Sequence, residues 1–488
     1  MTNDRQSGGK KSARKINERA VALDVIYKTL AGNEYIDKVL SETLERYPSL
    51  TSQEKSFIGR LSKGTVERLT EMDYIIDYMV SDSNVRIKSV VKDILRMGIY
   101  QIIYMDSVPD SAAVNEAVKL TVYKKVASLK GFVNGVLRNV VRRKDEIPYP
   151  SLKKNPIEHY MVWYSMPSWI VKYLLENFGD ETEKILQSFY KDKSETTVRC
   201  MLSKGDVKEI VVSLLEDKAS VKKGNFFDYA LRISDYGRLS DLKAFNEGLI
   251  QVQDESSMLV GAVLDIEDGM QILDVCAAPG GKSIFAADVL RKKGFLAQGI
   301  SKESESKAED NRIDEGEGRV ISCDVSKQKV NLIRDNLKRL NIHNVKLKKQ
   351  DATEYNEEFK ENFDIIIADL PCSGLGVMGK KCDIKYKTKY DDIKSLARLQ
   401  KQILGNIVRY LKPGGTLIYS TCTITKEENI DNVVWIKKKL GLTPVSIEEK
   451  LPERLKGMTG KDGYIQVLPN YADTDGFFVS KFVKSSDS

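Results

Sequence analysis

The spacing of hydrophobic positions changes along the chain. From about residue 19 to 146 apolar residues recur every three or four positions, with few prolines and no strand-like run, which predicts an all-helical domain. Its last helix shows the pattern best. Phe132, Val133, Val136, Leu137, Val140 and Val141 form one stripe, while Asn134, Arg138, Asn139, Arg142 and Arg143 fill the other. Pro148, Pro150 and Pro156 then break the chain, so IPYPSLKKN over 147–155 reads as a linker. Up to residue 245 an amphipathic helix (Trp169 to Phe178), a strand-like TTVRCML and a helix from Val207 to Leu215 predict a small α+β module.

Beyond residue 246 short apolar runs alternate with helical ones: QILDVC, RVISC, VKLKK, FDIIIAD and GTLIYS. Strands separated by helices predict a mainly parallel sheet with crossovers, an α/β domain over 246–488. YIQVL and GFFVSKFV add two strands suited to closing an edge antiparallel. Ser301–Glu317 breaks the pattern, with ten charges in seventeen residues. It buries too little surface to offset its ordering entropy and reads as an inserted loop, or as a charged surface helix.

At 488 residues the chain exceeds one core and fits about three domains of ~150 residues. With 41% hydrophobic and 30% charged residues it has an ordinary globular composition. The net charge of +7 is modest but unevenly placed: residues 1–18 carry Arg5, Lys10, Lys11, Arg14 and Lys15 against Asp4 and Glu18, a basic flexible arm. No run approaches the ~18 apolar residues of a spanning helix and the start lacks a signal-peptide pattern, so a cytoplasmic protein without membrane partner is expected. The six cysteines are scattered without a CxxC pair, which predicts neither a disulfide framework nor a metal site. Only His159 and His343 exist, neither in a motif. Histidine-based triads and HExxH sites are therefore excluded, and any catalysis falls to Cys, Asp, Glu or Lys. No oligomeric state is fixed, and a monomer is the default reading.

Candidate chemistry begins at DVCAAPGGKS, Asp274 to Ser283, between a strand and a helix. Its glycines allow close backbone approach and the helix start offers unpaired N–H groups, as a nucleotide-type ligand needs. Gly281, Lys282 and Ser283 end a phosphate-loop pattern, but Cys276 stands where that pattern opens with glycine, and GxGxxG is absent. An adenosyl ligand with its amino-acid part on the loop fits better. Asp324 and Asp351 follow the next two strands, placed for ribose hydroxyls and an adenine amine. DLPCSGLG and STCT then bring Cys372 and Cys422 to the same sheet edge, beside Asp369. Methylation of a pyrimidine at C5 uses such a set: a thiolate adds to C6, C5 attacks an electrophilic methyl group, and a carboxyl group at N3 and the exocyclic amine stabilises the moving charge.

IQVQDESS, LDVCAAPGGK, ADLPCSGLG, STCTITKEEN and DGFFVSKF, in this order, resemble the RNA cytosine-C5 methyltransferases of the Sun/RsmB type. The helical region ending GFVNGVLRNVVRR resembles a NusB-like RNA-binding domain. The resemblance implies a NusB-like domain over 19–146, a linker and α+β module over 147–245 and a Rossmann-like S-adenosylmethionine-dependent domain over 246–488. It also implies small-subunit (16S) ribosomal RNA as substrate. In that family the TC cysteine, here Cys422, is the nucleophile and the PC cysteine, here Cys372, assists product release. The cofactor lies against Cys276, Ala277, Ala278, Pro279, Gly280, Gly281 and Lys282, with Asp324 at the ribose, Asp351 near the adenine and Asp369 between cofactor and target base. The charged run stretches the interval from Lys282 to Asp324 beyond the usual ~20 residues. The alternative function is a non-catalytic RNA-binding factor for ribosome assembly or antitermination.

Overall fold

The computed structural model describes residues 16–80, 86–191, 194–297, 320–460 and 462–486, and the chain divides into two compact units, Met1–Tyr173 and Leu174–Ser488. The expected basic arm lies outside the described residues up to Lys15, and the charged run Ser301–Glu317 lies wholly outside them. Asn17 already caps the first helix, its side chain accepting from Ala20 N at 2.9 Å.

The regular structure described in the first unit is all helical, as the periodicity predicts. Helices Glu18–Ala31, Ile36–Glu45, Ser52–Glu67, Leu69–Met79, Ser89–Tyr104, Asp110–Tyr123 and Lys130–Arg143 enclose a core that includes Leu23, Ile58, Ile75, Ile94 and Leu137. Thr51 and Glu54 close a capping box at the start of the third. In Lys130–Arg143 the inner stripe is Val133, Val136, Leu137 and Val140, whereas Arg138, Arg142 and Arg143 are exposed. The proline-broken stretch 147–155 forms neither helix nor strand, yet it lies against the helices: Tyr149 Oη donates to Glu71 at 2.9 Å and Tyr74 Oη to the Pro148 carbonyl at 2.5 Å. Glu71 is buried, and these tyrosine donors are the reason the stretch is held.

The second unit contains two sheets. The smaller is antiparallel, with β1 (Thr196–Cys200), β2 (Ser220–Lys223), β3 (Ala230–Ser234) and β4 (Ile250–Val252) in the order β2-β3-β1-β4, backed by helix Val207–Glu216. Its last strand lies past residue 245. Fully buried Arg199 of β1 pairs with Asp288 at 3.2 Å, and Asp288 also accepts Leu202 N and Ser203 N, so this sheet is fixed to helix Gly281–Ala297.

The larger sheet comprises β5 (Ile272–Asp274), β6 (Val320–Asp324), β7 (Val345–Lys349), β8 (Phe363–Asp369), β9 (Leu411–Thr421), β10 (Thr443–Pro444), β11 (Tyr464–Val467) and β12 (Phe477–Val483). The order is β10-β12-β9-β8-β5-β6-β7, with β11 on β12; β5 to β9 are parallel, and β12 runs antiparallel between β9 and β10. Central strands are apolar on both faces because helices cover both: Ile272, Ile365, Ile367 and Ile418 belong to one core, and Leu273, Ile366, Leu417 and Tyr419 to the other. Strand order reverses at β5, which opens a crevice at the carboxyl ends of its neighbours.

Candidate active site

Strand register collects the chemistry at one edge. Asp274 pairs with Ser322 of β6, Asp324 with Lys349 of β7, and Asp369 with Ser420 of β9. The loops after β5, β6, β8 and β9 therefore leave the sheet side by side.

The loop after β5 is shaped by Gly280, whose φ of +107° disfavours a side chain and where a Cβ would come within 3.0 Å of Ile333. Ala277 N donates to Cys323 O at 2.9 Å, tying the loop to β6. Behind the turn Asp274 is buried; Ser283 Oγ donates to its Oδ2 at 2.6 Å, while its Oδ1 has no hydrogen bond among the described residues. Burial pushes this carboxyl up to about 7, against the Ser283 hydrogen bond. Burial also raises the Cys276 thiol, which leaves Cys276 a neutral lining residue.

Asp324 closes the far side of that loop. Its Oδ2 accepts Ala278 N at 3.0 Å, and its Oδ1 accepts Val325 N at 2.8 Å and pairs with Lys329 at 3.2 Å. Asp351 sits beyond β7, its Oδ1 accepting Thr353 N and Oγ1 at 2.9 and 2.7 Å, which lowers its pKa. The site is thus a glycine turn flanked by Asp274, Asp324 and Asp369, with Asp351 one strand further on. A Cβ at Gly281 would come no nearer than 3.7 Å to Gln253, so its backbone is approachable. An approachable glycine backbone beside the acceptors of Asp324 and Asp369 fits a nucleoside carrying positive charge, as S-adenosylmethionine does.

At the other end Asp369 Oδ1 accepts Ser420 Oγ at 2.8 Å and its Oδ2 pairs with Lys282 at 2.6 Å. Burial disfavours the Lys282 charge, but the Asp369 carboxylate outweighs it and raises the lysine's pKa. Cys372 Sγ and Cys422 Sγ lie 3.2 Å apart. The pair is asymmetric. The contact with Cys372, helped by Lys381 and Lys282, lowers the Cys422 pKa against burial and Asp369; the same contact and burial raise Cys372 well above the usual thiol range. Cys422 is thus the more acidic thiol of the pair and Cys372 the less acidic.

Backbone contacts lock these loops together. Gly376 N donates to Cys422 O at 3.1 Å and Gly476 N to Gly376 O at 2.9 Å. A Cβ on Gly376 would fall 2.2 Å from Gly476 O, so only glycine permits the approach. Lys380 bridges Asp254 and Asp475, joining the QDESS and DGFF segments to the PC loop.

The structure brings Cys372, Cys422, Asp369 and Lys282 together, and joins Cys276–Gly281 to Asp324. Asp351 bonds only within its own turn among these residues. Sequence reasoning passed over Lys380, Asp254, Asp475, Ser373 and Glu428, although all but Lys380 lie within a quoted segment. The acids Asp254, Asp475 and Glu428 beside turn residues were the available signal. Among the described residues no cluster of three His, Cys, Asp or Glu suits a metal, and no helix is long and apolar enough to cross a membrane.

The chain matches two family models: "16S rRNA methyltransferase RsmB/F" over residues 311–483 and "NusB family" over residues 16–142. A relative in Bacillus subtilis (strain 168), named probable ribosomal RNA small subunit methyltransferase B, is 32% identical over 96% of this chain and 99% of its own. Ribosomal RNA small subunit methyltransferase B of Enterobacter sp. (strain 638) is 27% identical over 96% and 100%. Among solved structures, that of PH0851 covers 97% of this chain and 100% of its own at a TM-score of 0.75 and 24% identity, and shares the fold. The structure of NSun6 from Pyrococcus horikoshii with SFG covers 65% and 98% at 0.53 and 22% identity. With a helical NusB domain, an α/β catalytic domain and end-to-end likeness to such a relative, the chain belongs to the ribosomal RNA small subunit methyltransferase B family.

Proposed function

We propose that the chain methylates C5 of a cytosine in small-subunit ribosomal RNA, with Cys422 as the nucleophile. Family membership makes it an S-adenosylmethionine-dependent methyltransferase of that RNA. The finer reading is carried by one observation: two thiols 3.2 Å apart beside the Asp369–Lys282 ion pair, with Cys422 the more acidic of the two.

When bound, S-adenosylmethionine supplies an electrophilic methyl group. Residues Cys276 to Lys282 would hold it, with Asp324 on the ribose and Asp351 near the adenine. Cys422 Sγ adds to cytosine C6, and the electron pair shifts toward C5 and N3. Asp369, held by Lys282 and Ser420, accepts from the exocyclic amine, and the Lys282 ammonium beside it offsets the charge that moves toward N3. After C5 takes the methyl group, its proton leaves to water, and Cys372, keeping its own proton, assists release of the product. The C6–Sγ pair then returns to Cys422, leaving 5-methylcytosine and a free thiolate. Arg138, Arg142 and Arg143, exposed in the first unit, suit contacts with RNA phosphates.

The test is incubation with labelled S-adenosylmethionine and unmethylated small-subunit ribosomal RNA, followed by nucleoside analysis. Labelled 5-methylcytidine is expected. Label in any other nucleoside, or none despite cofactor binding, overturns the cytosine-C5 reading.

A further inference from the structure

Glu428 has no solvent exposure, and both its carboxylate oxygens are used inside the protein. Oε1 accepts Ser373 N at 2.9 Å and Gln400 Nε2 at 3.1 Å. Oε2 accepts Ser373 Oγ at 2.5 Å and Thr425 Oγ1 at 2.6 Å. The donors come from both reactive loops: Ser373 follows Cys372, and Ser373 Oγ lies 2.7 Å from Thr423 Oγ1, next to Cys422. Gln400 also donates to the Pro371 carbonyl at 2.9 Å, on the other side of Cys372.

Glu428 is itself fixed. Its backbone carbonyl accepts Tyr419 Oη and, at 3.1 Å, Asn432 Nδ2, and the adjacent Asn429 donates to Thr423 O at 3.0 Å. A carboxylate kept from water and held by neutral donors is costly, whereas an apolar side chain of similar volume would fill the space without that cost. The position is therefore explained by what the carboxylate holds.

We infer that Glu428 is a positioning residue: its carboxylate clamps the Cys372 loop onto the Cys422 loop and so sets the Sγ–Sγ contact between Cys372 and Cys422. Four donors converging on the two oxygens match the ionised form, although burial raises the Glu428 pKa. Its negative charge also favours the proton on Cys372. For turnover the inference rests on the cytosine-C5 reading; for the state of the thiols it does not.

The experiment measures the pH profile of Cys422 alkylation by iodoacetamide in the full chain, read by peptide mass without RNA or methyl donor. In Glu428→Ala the midpoint is expected to rise by about one unit, a tenfold slower reaction near neutrality. Methyl transfer should lose about 10²-fold in kcat, as for a reacting group misplaced by ~1 Å, with KM for RNA and donor within about threefold. Glu428→Gln keeps the volume and two acceptor contacts but loses the charge, so its midpoint should rise by about half as much. If Glu428→Ala does not fold, Glu428→Gln decides. Either variant with the wild-type melting temperature and an unmoved profile overturns the inference. A moved profile in a protein that makes no 5-methylcytidine keeps the clamp and rejects the cytosine reading.

Discussion

The two ends of the catalytic edge are built differently. At β8 and β9 the reacting groups stand on a buried polar network in which Glu428, Ser373, Thr423, Gln400 and Asn432 are each bonded to neighbours several residues to tens of residues away. At β6 and β7 the carboxylates mostly serve their surroundings: Asp324 holds the turn at Ala278 and Asp351 holds its own Thr353. The proposed reaction accounts for the difference. A thiolate attacking a ring carbon must be placed within tenths of an ångström, whereas a nucleoside brings its own shape and needs only directional acceptors.

If this division is right, substitutions at the first end act on turnover and those at the second on cofactor affinity. Cys422→Ala should remove methyl transfer by at least about 10³-fold while calorimetry finds cofactor affinity unchanged. Cys372→Ala should add to the base but release it slowly, so a protein–RNA adduct accumulates on denaturing gels; no adduct breaks the assigned roles. The same variant removes the hydrogen bond that lowers the Cys422 pKa. The thiolate then forms only at higher pH, and the acid limb of Cys422 alkylation should move upward by a unit or more, on the scale of ~1.4 kcal/mol per unit. Asp324→Asn keeps an acceptor for Ala278 N but loses the charge, and should weaken cofactor binding about tenfold with little change in saturated single-turnover rate. Asp351→Ala should weaken it about fivefold. Equal losses of rate and affinity at either acid would erase the contrast between the two ends.

Much of this edge was legible in the residues. Short apolar runs followed by acids located β5, β6 and β8, because strands buried on both faces need apolar side chains throughout. The two cysteines were visible because each follows such a strand, and adjacent parallel strands deliver them together. Glu428 was not: its worth depends on Ser373 and Gln400, distant in sequence, and a lone acid after a turn reads as solvated. Strands β2, β3 and β10 escaped because they are short and weakly patterned, as SVKK is at an edge. The proline-rich stretch read as a linker by its breakers, while the donors Tyr149 and Tyr74 that hold it to the helices leave no periodic trace.

Strand β12 adds a constraint of time. It pairs with β9 from Thr416 to Thr421, the segment leading to Cys422, yet it is synthesised dozens of residues later. At ~5–20 residues per second this leaves roughly 3–11 s in which a nascent chain carries β9 with an open, apolar edge. Until Phe477–Val483 emerges, the segment leading to Cys422 is open to pairing with a neighbouring polypeptide, and translation stalled in that interval should yield chains that aggregate rather than methylate.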